Sequence, residues 1–378
     1  MSQRIITAIV PLLLLLPART FAQVPIQPAA EVNRGCKQER TWEGLTILVD
    51  QDVFWPPAFD QDYTMGIEFV ARGCFGRKIV SKSPLQLLDG VFGLVRRQKE
   101  LSETSSAGDL GHEAHSVSFG NTGFTPSKAQ LAETAPLLDD RPYANLMYLK
   151  VRRAAAKGDR ALVTDFTLGI LGLRVGETVQ KRIHKGRDIT PGGWPNQISD
   201  GGELTAKYRV SPRWLLVNHF PTPADARNPW GFDLSASVEG NAGYYTNVSW
   251  GMSVRAGLVR SHWWAFERHA IADVRRSLDG GSVPFVTEAF VWASGGSTAW
   301  LYNGLLQGQF RESKAKLSFS SESPAPIRRV TGDAQIGATV RLRPLGLGLT
   351  YGVQWLTPTF GGPKNRIHSW GGIYLSFQ

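Results

Sequence analysis

The stretch "VSWGMSVRAGL", residues 248–258, decides the fold because its apolar and polar residues alternate without a break. Successive side chains of a β-strand point to opposite faces, so this pattern predicts a strand with one apolar and one small or polar face. The same alternation returns at residues 330–342, 347–355 and 371–377. The sequence therefore predicts an all-β protein.

The period of two fits a soluble sandwich as well as a membrane barrel, so other features must separate them. Many of the predicted strands have ten or more residues, whereas globular strands average five or six. Trp and Tyr lie near strand ends, as in the aromatic girdles of membrane barrels. The even number of strands also fits a closed barrel. We count twelve, at residues 45–54, 62–73, 114–124, 142–153, 161–173, 203–219, 231–240, 244–260, 284–293, 327–343, 345–358 and 368–377.

The N-terminus predicts export. Residues 1–22 combine an early Arg, an apolar run and a small-residue cleavage site, which is typical of a signal peptide. Residues 23–378 then form one barrel domain, and no later stretch is apolar for the roughly 18 residues that a spanning helix needs. If such an exported protein lies in a membrane, it must span it as a β-barrel, and we expect an outer-membrane barrel with short helices in its loops.

The composition indicates the kind of partner. The chain has a formal net charge of +10 at pH 7. An exported basic protein points to anionic lipid head groups or lipopolysaccharide, and not to nucleic acid. We expect a monomer surrounded by outer-membrane lipids. Cys36 and Cys74 are the two cysteines, which either pair in an oxidising periplasm or remain small hydrophobic residues.

Long connections are expected at residues 74–113, 174–202, 261–283 and 294–326, where loops carry function or helices of their own. Within the second of them, Gln180 and His184 are four residues apart, which predicts one face of a short helix. A histidine there could act as a general base. The alternative is a surface histidine of a periplasmic or extracellular loop, which this residue alone favours.

Acidic and hydroxyl residues meet near the first two strands. The alternation puts Asp50 and Asp52 on one face of the first strand, and Thr64 and Glu68 on one face of the second. These four side chains could converge inside one end of the barrel and bind a cation. A solvated lumen wall paired with arginines is the alternative, and it is the common arrangement in barrels. The residues alone favour the second reading.

An ordered set of motifs resembles the outer-membrane lipid A 3'-O-deacylase family. The set spans nearly the whole mature chain, and its second and third pairs carry most of the resemblance. The motifs are "DQDVF" with "DYTMG" (50–54, 62–66), "GFTPSK" with "DDRPYA" (123–128, 139–144), "GETVQKRIH" with "GGWPNQI" (176–184, 192–198), and "HSWGGIYLSF" (368–377).

The resemblance implies a twelve-stranded barrel with an active site at its outer end, inside the lumen mouth. It implies hydrolysis of a 3'-acyloxyacyl ester of lipid A by calcium and a water that His184 activates. Asp52 matches the family's metal-binding acid and Thr64 its hydroxyl residue. Lys128 and Arg141 lie in the matching motifs and are the predicted substrate contacts. Arg182 and Lys185, beside His184, could hold lipid A phosphates, or they belong to a solvated loop or to a contact outside the active site.

Two positions depart from the family pattern. Gln51 stands where the family has an Asn, and the Glu that follows the histidine is missing, so that Asp188 is the nearest acid. These departures keep two alternatives open. One is a non-catalytic barrel, either a channel or a lipopolysaccharide-binding protein, and the other is an esterase that acts on phospholipid.

Overall fold

A computed structural model describes residues 42, 44–55, 61–103, 111–185, 190–220, 230–259, 261–266, 287–342 and 345–377. The predicted signal peptide at residues 1–22 lies outside these ranges. So does Cys36, and the Cys74 side chain is not described either, which leaves the disulfide a prediction. Within the described ranges, no helix combines the length and hydrophobicity that crossing a membrane requires.

Twelve antiparallel strands form a closed barrel, which confirms the predicted fold class. Each strand pairs with its neighbours in the chain, and the last strand closes the barrel on the first. The strands are β1 Gly44–Gln51, β2 Asp62–Arg72, β3 Gly111–Thr125, β4 Ala144–Lys157, β5 Arg160–Leu171, β6 Glu203–His219, β7 Gly231–Gly243, β8 Tyr245–Leu258, β9 Thr287–Asn303, β10 Val330–Leu342, β11 Leu347–Leu356 and β12 His368–Phe377.

Short helices occupy the connections, as expected. Three follow β2, one follows β5 and one follows β9. They are α1 Cys74–Val80, α2 Pro84–Val91, α3 Leu94–Ser102, α4 Val175–Ile183 and α5 Gly304–Gln307. Because the number of strands is even, β1 begins and β12 ends at the same end of the barrel, which we call the termini end. The opposite end, which carries α4 and α5, is the loop end.

The alternation separates a charged lumen from an apolar exterior. In the lumen, Lys150 Nζ lies 2.7 Å from a carboxylate oxygen of Glu68, and Arg209 Nε lies 2.5 Å from one of Asp165. A buried charge is costly unless it is paired, and these pairs meet that need. Large apolar side chains on the opposite faces of the same strands are exposed, as a lipid-facing surface requires. They include Phe119, Leu149 and Leu168.

The loop after β8 fills the lumen near the termini end. Trp264 is buried among small residues of β4 and β5 that include Ala154 and Ala161. Arg213 donates hydrogen bonds to the carbonyl oxygens of Trp264 at 3.1 Å and Phe266 at 2.7 Å. Bulky packed groups therefore occupy this part of the barrel interior.

Several predicted strand boundaries are wrong by three residues or more, and those of β1 and β9 have a clear cause. β1 ends at Gln51, and a 3-10 helix at Asp52–Phe54 replaces its predicted last residues. β9 continues to Asn303, ten residues beyond its predicted end. The run Ser294–Thr298 contains only small residues, so it shows no alternation, although its backbone pairs fully with β8 and β10.

Candidate functional site

A β-bulge in β2 turns Thr64 to the outside of the barrel. The pairing of β2 with β3 shifts between Tyr63 and Met65, so one extra residue enters the strand. Tyr63 remains in the lumen, where its hydroxyl occupies the position that a Cβ at Gly66 would need. Thr64 faces the other way, and its hydroxyl lies 2.5 Å from that of Thr125.

Asp52 also lies on the outer side of the barrel wall. The backbone after β1 folds over the exterior of β11 and β12, because Phe54 Cβ fills the space beside Gly371. Tyr351, on the exposed face of β11, donates a hydrogen bond to the Phe54 carbonyl at 2.7 Å. Asp52 itself is buried, and its Oδ2 accepts a hydrogen bond from the Gln61 amide at 2.7 Å. This bond ties Asp52 to the segment that leads into Thr64.

Helix α4 presents His184 toward the barrel wall. Gly176, Gln180 and His184 are spaced by four residues and share one helix face. Gln180 is buried and accepts a hydrogen bond from Trp194 Nε1 at 2.8 Å. His184 is also buried, in the turn that ends the helix, where its amide bonds the Gln180 carbonyl at 2.9 Å. The predicted pairing of Gln180 and His184 on one helix face is confirmed.

The wall beneath α4 is the exterior of β3 and β4. Asn145 lies between Ala144 and Leu146, which both pack into the cluster at the lumen mouth, so its side chain points outward. It pairs there with the amide of Asn121, at 3.0 and 3.2 Å. Gly176 approaches this pair closely, since a Cβ on it would lie 3.0 Å from Asn145 Nδ2. The expectation of a site inside the lumen mouth is therefore wrong for α4 and Thr64.

The close approach at Gly176 gives a first prediction. A Cβ there would lie 2.6 Å from the Trp194 ring, so Gly176→Val should push α4 off the wall at a cost of about 1–3 kcal/mol. We expect faster proteolysis within α4, while the barrel keeps its heat-dependent mobility on gels. Thr178→Val places the same side chain at an exposed position of the helix and is the matched control. Equal protease resistance of α4 in the two variants would contradict this packing.

Two of the three predicted acids, Asp50 and Glu68, do not converge on Thr64. Asp50 Oδ1 accepts a hydrogen bond from the Tyr374 hydroxyl at 2.8 Å, and Glu68 pairs with Lys150, both on the lumen side. The bulge is the physical reason for the separation, because it reverses the face on which Thr64 lies. Gln51 ends β1 opposite Gly371 and is half-buried. Asp188 lies outside the described residues.

The four predicted substrate-binding cations fall into two groups. Lys128, Arg182 and Lys185 are exposed. Arg141 is buried, with its guanidinium 4.6 Å from the centre of the Phe124 ring and its Nε 3.9 Å from Asp62 Oδ1. Arg141 therefore contacts protein groups, whereas the other three are open to an anionic ligand.

A buried ion network beside the site was not predicted. Asp62 accepts hydrogen bonds from Arg366 at 2.8 and 2.5 Å, and its Oδ2 lies 2.9 Å from His368 Nδ1. Arg366 also bonds Asp140 at 2.7 Å. Asp62 has a left-handed backbone (φ 66°), which is uncommon for a residue other than glycine, and these contacts hold it there.

Burial and charge act differently on the two arginines of this network, both of which lie in loops. Burial lowers the pKa of Arg141, and the attraction of Asp62 offsets only part of that effect. Burial also opposes the charged form of Arg366, but its contacts with Asp62 and Asp140 outweigh burial and raise its pKa. β1 lies between β2 and β12 in the barrel but ends at Gln51. Past that point, the first residues of β2 and β12 contact each other directly within the network.

The donors around Asp52 and Thr64 are oxygen atoms. In the described parts of the chain, no cluster of three or more His, Cys, Asp and Glu side chains could hold a metal ion. Calcium also accepts hydroxyl, amide and backbone carbonyl oxygens, usually six to eight in total. The donor types therefore suit calcium, with Asp52 as the carboxylate among them.

The geometry defines an outer-membrane type of β-barrel with a helix packed on its outer wall at the loop end. A buried histidine, His184, ends that helix. The model of the family described as outer membrane protein LpxR matches residues 9–378. The chain belongs to this family, and with that the predicted family resemblance is confirmed.

One solved structure shows the same fold. LpxR from Salmonella typhimurium superposes with a TM-score of 0.65 at 14% identity, over 89% of this chain and 99% of that one. The β domain of the Bordetella autotransporter BrkA is 10% identical and has a TM-score of 0.38, over 89% and 99% of the two chains. No curated protein sequence matches this one at a significant level.

Proposed function

We propose that this protein is an outer-membrane esterase that hydrolyses the 3'-acyloxyacyl ester of lipid A. The single observation that carries the proposal is the buried His184 on a helix that packs against the outer wall of the barrel. A lipid in the membrane reaches such a site sideways without leaving the bilayer. Membership of the LpxR family supports the same substrate class.

The outer wall below the site suits acyl chains. Ile67 and Phe69 follow Thr64 along β2 on its outward face, and both are exposed. Acyl chains would stay against this apolar surface while the ester reaches the site. The exposed Lys128, Arg182 and Lys185 would pair with the phosphates of lipid A. The packed lumen around Trp264 favours an esterase over a channel.

His184 performs the proton transfers of the proposed reaction. It takes a proton from water as the oxygen attacks the ester carbonyl carbon, and it returns that proton to the leaving alkoxide. The carbon–oxygen bond of the ester breaks, which yields a carboxylic acid and a free sugar hydroxyl. A calcium ion held by Asp52 would stabilise the negative charge on the carbonyl oxygen. Gln51, Thr64 and Asp188 remain candidates for supporting roles.

The calcium proposal predicts a specific defect for Asp52→Asn. Loss of the carboxylate charge should raise the calcium concentration for half-maximal thermal stabilisation by about tenfold or more, with a parallel change in activity. The control is Asp139→Asn, which removes a partly exposed carboxylate of the loop end that pairs with Lys364. If Asp52→Asn responds to calcium as the wild type does, the metal does not bind there.

The function is tested by expressing the chain in a bacterial host without a lipid A deacylase and measuring lipid A and phospholipids by mass spectrometry. We expect lipid A to lose the mass of one acyloxyacyl group. Lysophospholipid with unchanged lipid A would identify a phospholipid esterase instead. Unchanged lipids of both kinds, with folded barrel in the membrane, would contradict an esterase.

A further inference from the structure

Helices α1–α3, which we call the side helices, lie outside the barrel. Asp89 of α2 bonds Thr164 and Tyr208 on neighbouring strands of the wall. Asp165 pairs with Arg209 in the lumen, so the residues next to them, Thr164 and Tyr208, face outward. The side helices therefore cover the exterior of the wall, at the termini end where β2 stops.

A buried polar junction fixes the side helices to the wall. Asp89 is fully buried and accepts three hydrogen bonds, from Gln98 Nε2 at 2.9 Å, Thr164 Oγ1 at 3.0 Å and the Tyr208 hydroxyl at 2.8 Å. A polar junction without partners would be costly on a lipid-facing wall. Here all three donors to Asp89 come from the protein, two of them from the wall, so the helices and the wall form one surface.

The outer side of α2 is apolar and exposed. Leu87 and Val91, four residues apart on one helix face, are 69% and 73% exposed. Phe92 follows them, and its ring stacks on that of Tyr208 with centroids 5.6 Å apart. The strands beneath also carry the exposed Leu149 and Leu168. The apolar face of α2 thus continues the lipid-facing belt of the barrel, and water alone would be a poor solvent for it.

Basic residues surround this apolar face. Residues 74–103 contain six Lys and Arg and three Asp and Glu, one of which is the buried Asp89. Five of the basic side chains are exposed, namely Lys78, Lys82, Arg96, Arg97 and Lys99. Lys82 lines an open groove of about 650 Å³ together with Leu87 and Val91 of the apolar face. This combination is typical of an interfacial amphipathic segment.

An aromatic contact places the start of the side helices at a membrane interface. Trp42, just before β1, is about half exposed and stacks on Phe75 of α1 at 5.7 Å. Exposed Trp residues at the rim of a membrane barrel lie at the level of the lipid head groups. The side helices therefore extend from the interface along the wall of the barrel.

We propose that the side helices are a lipid-binding anchor for anionic phospholipids in the leaflet at the termini end. Leu87, Val91 and Phe92 contact acyl chains, and the surrounding cations hold the phosphates of the head groups. This anchor lies at the opposite end of the barrel from α4. It does not depend on the proposed esterase activity.

Spin labels test the depth of the side helices in vesicles of phosphatidylethanolamine and phosphatidylglycerol. The mature chain, with both native cysteines replaced by alanine, would carry one nitroxide at Leu87→Cys, Val91→Cys or Arg96→Cys. The Arg96 side chain is 89% exposed and provides the control on the same segment. Labels at 87 and 91 should collide with oxygen and be shielded from a water-soluble nickel chelate, and the label at 96 should show the reverse. Equal exposure to nickel at all three positions would overturn the proposal.

A charge variant tests the preference for anionic lipid. We expect Lys82→Gln combined with Arg97→Gln to reduce the phosphatidylglycerol that co-purifies with the barrel by severalfold. The control is Arg160→Gln, which removes an exposed charge from the first residue of β5 at the same end. Phosphatidylglycerol retention equal to that of the control would overturn the assignment of the cations to lipid phosphates.

Discussion

His184→Ala should insert as a folded barrel and lose lipid A hydrolysis by about 10²–10⁴-fold, the usual contribution of a general base. The residue is placed by α4, and the same helix face holds Gln180 against Trp194. Its removal leaves the twelve strands and their pairing unchanged. Mass spectrometry of lipid A over a time course measures the rate.

Two further variants separate catalysis from structure at this position. His184→Gln keeps a side chain that can form hydrogen bonds but cannot accept a proton near neutral pH, so it should be as inactive as alanine. His219→Ala removes an exposed histidine at the end of β6, near the termini end, and should leave activity unchanged. Wild-type activity in His184→Gln would reduce His184 to a packing role.

Asp62→Ala should produce the largest loss of stability, because it leaves the partly buried Arg366 and the buried His368 without their carboxylate. Arg366 and His368 both lie within hydrogen-bond distance of Asp62. Breaking a buried pair from one side costs about 3–5 kcal/mol. Urea unfolding of the barrel in vesicles measures the loss of free energy of unfolding.

The exposed pair of Arg174 and Asp200 provides the control for this prediction. Its arginine is 56% exposed, so Asp200→Asn should cost less than about 1 kcal/mol. The double variant Asp62→Asn with Arg366→Met removes both partners and should recover part of the loss. If Asp62→Ala and Asp200→Asn destabilise the barrel equally, the network does not stabilise the loop end as described.

Asp62→Ala should also lower activity, because Asp62 positions residues on both sides of it in the chain. Asp62 follows Gln61, whose amide bonds Asp52, and precedes the bulge that carries Thr64. Loss of the left-handed conformation at Asp62 would shift both neighbours. Activity and stability should therefore fall together in this variant, whereas His184→Ala should lose activity alone.

The strands were predictable because the environment imposes their pattern. A lipid-facing exterior and a charged lumen force alternation at every strand, as in residues 248–258. The second half of β9 was not predicted, because its small residues fit either face and show no alternation. Helix α4 was predictable from the spacing of its residues, although the spacing carries no information on which side of the wall it packs.

Alternation could not predict on which side of the barrel wall the site lies, because one inserted residue in β2 reverses the faces of the residues before it. The bulge at Tyr63–Met65 moves Thr64 out of the face that Glu68 occupies, and the sequence has no residue that marks a bulge there. The ion network joins residues about 300 positions apart, Asp62 and Arg366. A closed barrel places the segment before β12 close to the start of β2. That neighbourhood could have predicted a contact between Arg366 and Asp62.

One assay tests the central claim that a lipid ester is cleaved at the outer wall. Purified wild-type protein and His184→Ala are placed in bilayers that contain both lipid A and phospholipids, and the released fatty acids are measured. We expect a 3-acyloxyacyl acid from lipid A with the wild type and at least 100-fold less with His184→Ala. Equal release from lipid A by the two proteins, or no release by either, would contradict it.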